Sequence, residues 1–184
     1  RRLGGEPAEI RKYRQNYEKD FNRTWKSTTR KHLLVEVEKA RLVFLGDFHP
    51  LQQSQKSHLR ILKNIKIKKP VILGLECLWS DDQDKIDRYM TGRWSDRDFL
   101  KSVEWKKNWG FPWENYRPLF EWARENKVQV RGLNGPSQLK VAAPLHLRDR
   151  WAAQQITTIL QAHPESQIFV IYGDLHLAEA HLPG

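Results

Sequence analysis

Two tetrapeptides in this chain share a spacing able to support chemistry: Gly46-Asp47-Phe48-His49 and Gly173-Asp174-Leu175-His176. Glycine lets the backbone turn sharply, and a carboxylate and an imidazole just beyond it can return toward one centre. Imidazole with carboxylate oxygen suits zinc, manganese or iron, or forms a general-base pair that activates water. One such tetrapeptide carries little weight, because a histidine after a strand more often caps or packs. Two copies, with Glu76 expected at the same edge, favour a functional site. Asp47, His49, Glu76 and His176 are therefore the expected metal-ligand set. If the protein is a hydrolase, His49, Glu76 and His176 are its expected catalytic residues.

The elements that must position these residues are legible as apolar runs. Residues 41–46, 70–76, 128–133 and 167–173 are short, largely aliphatic or β-branched, and bounded by glycine or acid, the form of strands buried on both faces. Between them lie stretches of helical spacing: 50–65 opened by Pro50, a helix through Met90 with Ser80 and Gln83 as capping box, a short one capped by Ser95, 114–125 ended by Asn126, and 148–160. Residues 33–40 fit either a strand or a short helix. Strands joined by helical crossovers pair in parallel. The expected architecture is thus α/β, a largely parallel sheet with helices on both faces in a single domain. In such a sheet all strand carboxyl ends share one edge, where ligands bind. That edge gathers Asp47, His49, Glu76, Asn134, Gly135 and His176.

The segment 105–113, Trp-Lys-Lys-Asn-Trp-Gly-Phe-Pro-Trp, is too aromatic and too broken to be a regular element. It reads as core and lid, or as a flat apolar platform for a planar ligand such as haem. On the second reading Trp109 and Trp113 contact the cofactor, and Tyr116 and Tyr89 are candidate phenolate ligands to iron. His181, five residues beyond His176, is expected at the surface, with membership of the site as the alternative, and His58 on a partly exposed helix face. His32, His146 and His163 have no partner pattern. No Gly-x-Ser-x-Gly elbow and no phosphate-cradling glycine loop occurs.

The chain has 184 residues, 39% of them apolar, enough for one core. Its 32 basic and 22 acidic side chains leave a net charge of +10, spread widely with modest clustering in 1–31 and at Lys63, Lys66, Lys68 and Lys69. General affinity for polyanions or an anionic membrane surface fits this better than specific nucleic-acid recognition. Residues 1–32 read as a basic arm or edge helix and 33–184 as the domain proper. No apolar run approaches the ~20 residues of a spanning helix. With a start at Arg1 and no initial methionine or leader, a signal peptide is expected to have been removed or not supplied. Cys77, the single cysteine, excludes an internal disulfide and is expected to be a buried thiol.

In order and interval, Val43-Phe-Leu-Gly-Asp-Phe-His49, Leu73-Gly-Leu-Glu76, Trp109-Gly-Phe-Pro-Trp-Glu-Asn-Tyr-Arg-Pro-Leu119, Arg131-Gly-Leu-Asn134 and Gly173-Asp-Leu-His176 resemble the ChaN-like haem-binding uptake proteins of the Tiki, TraB and erythromycin-esterase superfamily. The resemblance implies an α/β fold and a bacterial, lipid-anchored cell-envelope protein binding haem or iron and linked to haem or iron uptake. From the wider superfamily it implies a strand-end glutamate and two histidines that bind divalent metal or activate water, falling here on His49, Glu76 and His176, with Asp47 at the acidic motif position. The family's first motif usually reads Gly-Glu-x-His, so the carboxylate here is one methylene shorter. Relatives also continue past the final motif, and the chain is expected to be incomplete at its C-terminus. Three functions result, in this order: haem or iron binding, metal-dependent hydrolysis, and non-specific polyanion binding. The expected partners are haem or another small ligand, an anionic membrane surface and a second copy in a homodimer, with no specific nucleic acid.

Overall fold

The computed structural model describes residues 6–136 and 143–183. The first five residues of the expected arm and the final glycine lie outside the described residues. Helices α1 (Ala8–Phe21) and α2 (Arg30–Lys39) precede β1 (Leu42–Asp47), α3 (Gln52–Leu62) and β2 (Val71–Trp79). A single turn at Ser80–Asp82 leads into α4 (Gln83–Met90), α5 (Asp96–Ser102), the one-turn α6 (Trp105–Asn108) and α7 (Trp113–Glu125). Then come β3 (Gln129–Asn134), α8 (Leu145–Ala162), β4 (Gln167–Gly173) and a last turn at Asp174–Leu177. The strands form one sheet in the order β1-β4-β2-β3, every pair parallel.

Side-chain alternation explains why both faces need cover. Leu73, Leu75 and Cys77 of β2 and Phe169 and Ile171 of β4 pack with Leu62, Ile86, Tyr116 and Phe120 from α3, α4 and α7. Their neighbours Ile72, Ile168, Val170 and Tyr172 pack on the other face against Ala152, Ile156 and Ile159 of α8. The expected α/β architecture with helices on both faces is therefore what the chain adopts. Cys77 is buried, and burial pushes its thiol pKa up. Among the described residues, no helix is long and apolar enough to cross a membrane.

Several local expectations resolve differently. Residues 33–39 fall within α2, with Ala40 as its C-cap, and the helix start is capped by Thr29 accepting from the His32 amide. Ser95 forms a capping box with Asp98. The corresponding box at Ser80 does not form. There the chain makes a tight turn first, Ser80 accepts from the Trp151 indole, and the Gln83 amide bonds Asp87 and the Val130 carbonyl. The aromatic stretch 105–113 contains one helical turn, isolated by left-handed backbone at Glu104 (φ 49°) and Gly110 (φ 81°).

One irregularity bears on the site. Leu75 of β2 pairs with Gly132 of β3, but the next pairing is Trp79 with Asn134, so the β2 backbone bulges just where it carries Glu76. The bulge folds over Gly132: a Cβ there would lie 2.3 Å from the Trp79 carbonyl oxygen and 2.7 Å from its carbon. Backbone cannot yield as a side-chain tip can. Gly132→Ala is expected to destabilise the fold by about 1–3 kcal/mol, measured as a lower urea midpoint. An unchanged midpoint would show that the bulge relaxes freely.

Candidate functional site

The β1–β4 register sets Asp47 beside Gly173, and β2, on the other side of β4, delivers Glu76 to the same edge. Glu76 is buried at 2% exposure. A carboxylate so placed needs protein groups in place of water. It accepts from the Gly173 amide through Oε2 at 2.5 Å and from the Arg148 guanidinium through Oε1. His49 Nε2 lies 3.4 Å from Oε2, and His176 Nε2 lies 4.0 Å from Oε1. The two histidines and the glutamate expected from sequence thus meet at one point. Gly173 sits between them, since a Cβ on it would approach Glu76 Oε2 and His49 Nε2 at 3.2 Å each and His176 Cδ2 at 3.3 Å.

Each imidazole has its own carboxylate. His49 Nδ1 is 2.8 Å from Asp47 Oδ2, and His176 Nδ1 is 2.5 Å from Asp149 Oδ1. A carboxylate on Nδ1 fixes the ring and its proton there, so the Nε2 edge is the one left to the centre. Asp47 is itself saturated: Tyr116 donates its hydroxyl at 2.9 Å, the Gln55 amide donates at 2.6 Å, and His58 Nε2 stands 3.4 Å away. Burial pushes its pKa up, but the hydrogen bonds from His49, His58 and Tyr116 outweigh this and hold it well below the usual carboxylate range. Asp149 receives the Tyr13 hydroxyl of α1 at 2.5 Å. Burial and the neighbouring carboxylate push the Tyr13 phenol up, so it remains a donor.

Above this polar floor lies a half-open cleft of about 390 Å³. Its walls are Ile10 from α1, Phe48, Trp109, Phe111, Leu145 and Leu175, with Asn108, Asn134 and Asp174 as further polar groups. Trp109 meets His49 edge-on at 4.4 Å between centroids, and Phe111 lies 5.2 Å from the same ring.

The structure therefore sorts the expected residues. His49, Glu76, His176 and Trp109 line the cleft, as does Asp47, whose carboxylate is committed to its neighbours. Tyr116 is a correction: it is 1% exposed, lies outside the cleft lining, and commits its hydroxyl to Asp47 from behind, with burial pushing its phenol up. Trp113 and Tyr89 are corrected likewise. Both are buried, bond Asp96, and pack with Phe99 and Phe120 away from the cleft. His58 is buried against Asp47 rather than on an exposed face, and His181 stacks on Tyr13 at 3.7 Å and bonds Asn16. The two tetrapeptides are not structural copies, because Asp174 accepts from the Leu175 amide while His176 takes its carboxylate from α8.

No group of three or more His, Cys, Asp or Glu side chains disposed to hold a metal ion occurs among the described residues. The expected metal set thus lacks support, and the physical reason is visible: Arg148 supplies the cation at Glu76, and Asp47 faces its own donors. Sequence reasoning missed Arg148, Asp149, Tyr13 and Gln55. For Arg148 and Asp149 a signal existed, since helix N-termini collect at the same edge as strand C-termini, and both lie in the first two turns of α8. Tyr13 gave none.

The haem-binding uptake family of the Tiki superfamily, ChaN, matches residues 33–144, well over half of the chain. The chain belongs to that family. Among solved structures, ChaN of Campylobacter jejuni, described for cofacial haem binding, superposes with a TM-score of 0.67 over 86% of this chain and 80% of its own at 16% identity. The C-terminal region of Pasteurella multocida toxin, described as having a thiol-protease-like catalytic triad, matches with TM-score 0.59 and 13% identity over 93% of this chain and 24% of its own. RRSP, a MARTX toxin effector domain from Vibrio vulnificus, gives 0.55 and 23% over 82% and 31%. These identities show a shared fold, and the toxins correspond to this ChaN-family chain over only part of their length. No curated protein matches the sequence.

Asp47 gives the site a pH signature. Its depressed folded pKa makes its contribution to stability fully present above its unfolded value near 3.8 and lost as pH falls through the lower folded value. Asp47→Asn is expected to cost about 1–3 kcal/mol at neutral pH, the gap to wild type closing below about pH 4. Urea unfolding from pH 7 to 3 measures it. A gap independent of pH would mean that the carboxylate's charge contributes nothing.

Proposed function

We propose that this protein binds haem in the cleft at the strand ends, in a role linked to haem or iron uptake at the bacterial cell envelope. The observation that carries the reading is the pairing of two carboxylate-oriented imidazoles, their Nε2 edges turned to the centre, with an aromatic wall of Trp109, Phe111 and Phe48. A planar porphyrin needs such an apolar wall and a nitrogen donor beside it. The cleft is of ligand size, and the His49 side chain retains 19% exposure. His49 and His176 are the residues that would face the iron, and Trp109 and Phe111 would pack against the macrocycle. Bound haem would supply a redox-active iron and an extended apolar surface. Family membership and the likeness to a haem-binding ChaN support the same reading.

The chain's own residues do the positioning. Asp47 and Asp149 set the two rings, Tyr116 and Tyr13 set those carboxylates, and Arg148 neutralises Glu76 so that the floor does not repel a ligand by bare charge. Titration with hemin tests this: wild type is expected to give a saturable Soret change, Tyr116→Phe to retain it, and His49→Ala to weaken it at least roughly tenfold, the scale of a lost first contact or its outer partner. Gly173→Ala, which crowds the space between the rings, is expected to weaken it as well. Absence of a Soret change in wild type, or equal affinity in wild type and both His49→Ala and His176→Ala, would overturn the proposal.

A second reading, hydrolysis without a metal, is favoured by the same Asp–His pairs flanking Glu76, since an oriented imidazole can take a proton from water. It anticipates turnover of activated esters or amides that is insensitive to chelators and lost in both His49→Ala and His176→Ala. Rates no greater than buffer across such a panel would sink it.

A further inference from the structure

Between residues 10 and 31 the chain carries eight basic side chains against only Glu18 and Asp20, one of two strongly basic stretches beside the six basic and no acidic side chains of residues 56–69. Every residue from Phe21 to Leu33 is exposed. Within it stand two of the largest apolar side chains on the surface, Phe21 at 63% and Trp25 at 68% exposure. They are one helical turn apart in sequence and held together, because the Trp25 indole donates to the Phe21 carbonyl at 2.7 Å. Tyr17 stacks on Phe21 with ring centroids 5.7 Å apart, extending the pair into an aromatic stripe.

Scattered apolar side chains on a surface need no explanation, but a fixed aromatic stripe among basic residues does. The basic residues that flank the stripe in sequence are Lys19, Arg23, Lys26, Arg30 and Lys31. Arg23 is drawn toward Asp20 and Glu179, and Arg30 bonds Asn64, which anchors the stretch to the body of the domain from two sides. The stripe is thus presented by a docked segment. An exposed aromatic edge flanked by lysine and arginine matches the boundary of an anionic bilayer, where tryptophan and phenylalanine enter the headgroup zone and cations meet lipid phosphates.

We infer that the end of α1 and the segment following it form a docking surface for anionic membranes, with Phe21 and Trp25 inserted and the surrounding lysines and arginines on the headgroups. This is independent of what the cleft binds. It has one spatial consequence for the cleft, since Ile10 of its wall lies on the same helix, eleven residues or about 16 Å from Phe21.

Co-sedimentation of the whole chain with vesicles tests the inference, using phosphatidylglycerol mixed into phosphatidylcholine and phosphatidylcholine alone. Binding is expected only with the anionic mixture, falling steeply with salt, with tryptophan quenched by brominated acyl chains. Trp25→Ala is expected to remove that quenching and to weaken binding roughly tenfold. Lys26→Glu with Lys31→Glu is expected to weaken it at least tenfold while leaving thermal unfolding unchanged. Equal binding to neutral vesicles, no binding to either, variants indistinguishable from wild type, or tighter retention by single-stranded DNA at the same salt would each overturn it.

Discussion

The buried carboxylate of Glu76 is the constraint on which the strand-end arrangement depends. An ionised carboxylate out of water is costly unless donors replace its hydration, and removing one partner of such a buried pair typically costs about 3–5 kcal/mol. Here the donors come from separate elements: the amide of Gly173 at the end of β4 and the guanidinium of Arg148 in the first turns of α8. Satisfying one anion therefore fixes the end of β2 against β4 and seats α8 over the same edge. It also explains why glycine occupies position 173. The amide must come within hydrogen-bond reach while two imidazoles close over it, so a Cβ would fit only if Glu76 and the two rings shifted by a few tenths of an ångström.

Around that centre the protein uses one device twice with unrelated parts. Asp47 and Asp149 each hold an imidazole through Nδ1, and each receives a buried tyrosine hydroxyl. Asp47 comes from the strand preceding its histidine, whereas Asp149 comes from a helix 27 residues before His176. Tyr116 reaches its aspartate from α7 and Tyr13 from α1. Shared chemistry thus arises by convergence of elements rather than by repetition of a motif. The likeness of the two tetrapeptides in sequence reports the sharp exit from two strands and little else.

That difference explains what was legible in the sequence. The strands were, because a segment buried on both faces has few alternatives to a short aliphatic run, and the parallel sheet followed from the helices between them. His49, Glu76 and His176 were legible because the strand-end rule needs only strand boundaries. Tyr116 was visible but misassigned: its type suits iron, yet the packing that buries it depends on α7 packing against α3 and β3 with the hydroxyl reaching Asp47, which spacing does not encode. Ser80 and Ser95 had equally good capping sequences, and tertiary competition decided between them, with Trp151 claiming the Ser80 hydroxyl. Tyr13 was invisible because its partners lie more than a hundred residues away.

Charge separates the cleft from the surface. The net charge of +10 invites a polyanion, yet the cleft and its immediate support contain four carboxylates, Asp47, Glu76, Asp149 and Asp174, against one guanidinium and the three imidazoles of His49, His58 and His176. Burial pushes the Asp174 carboxyl up, with Asp47 adding to the effect, consistent with a site already rich in negative charge. Such a floor is a poor match for a bare phosphate chain, whose charge has the same sign as its carboxylates. The excess of lysine and arginine instead lies on exposed side chains outside the cleft, within residues 10–31 and 56–69, where solvent hydrates it and where large anionic surfaces can reach it. Net charge and site chemistry therefore belong to different regions of this molecule, and an inference from one to the other has the wrong sign.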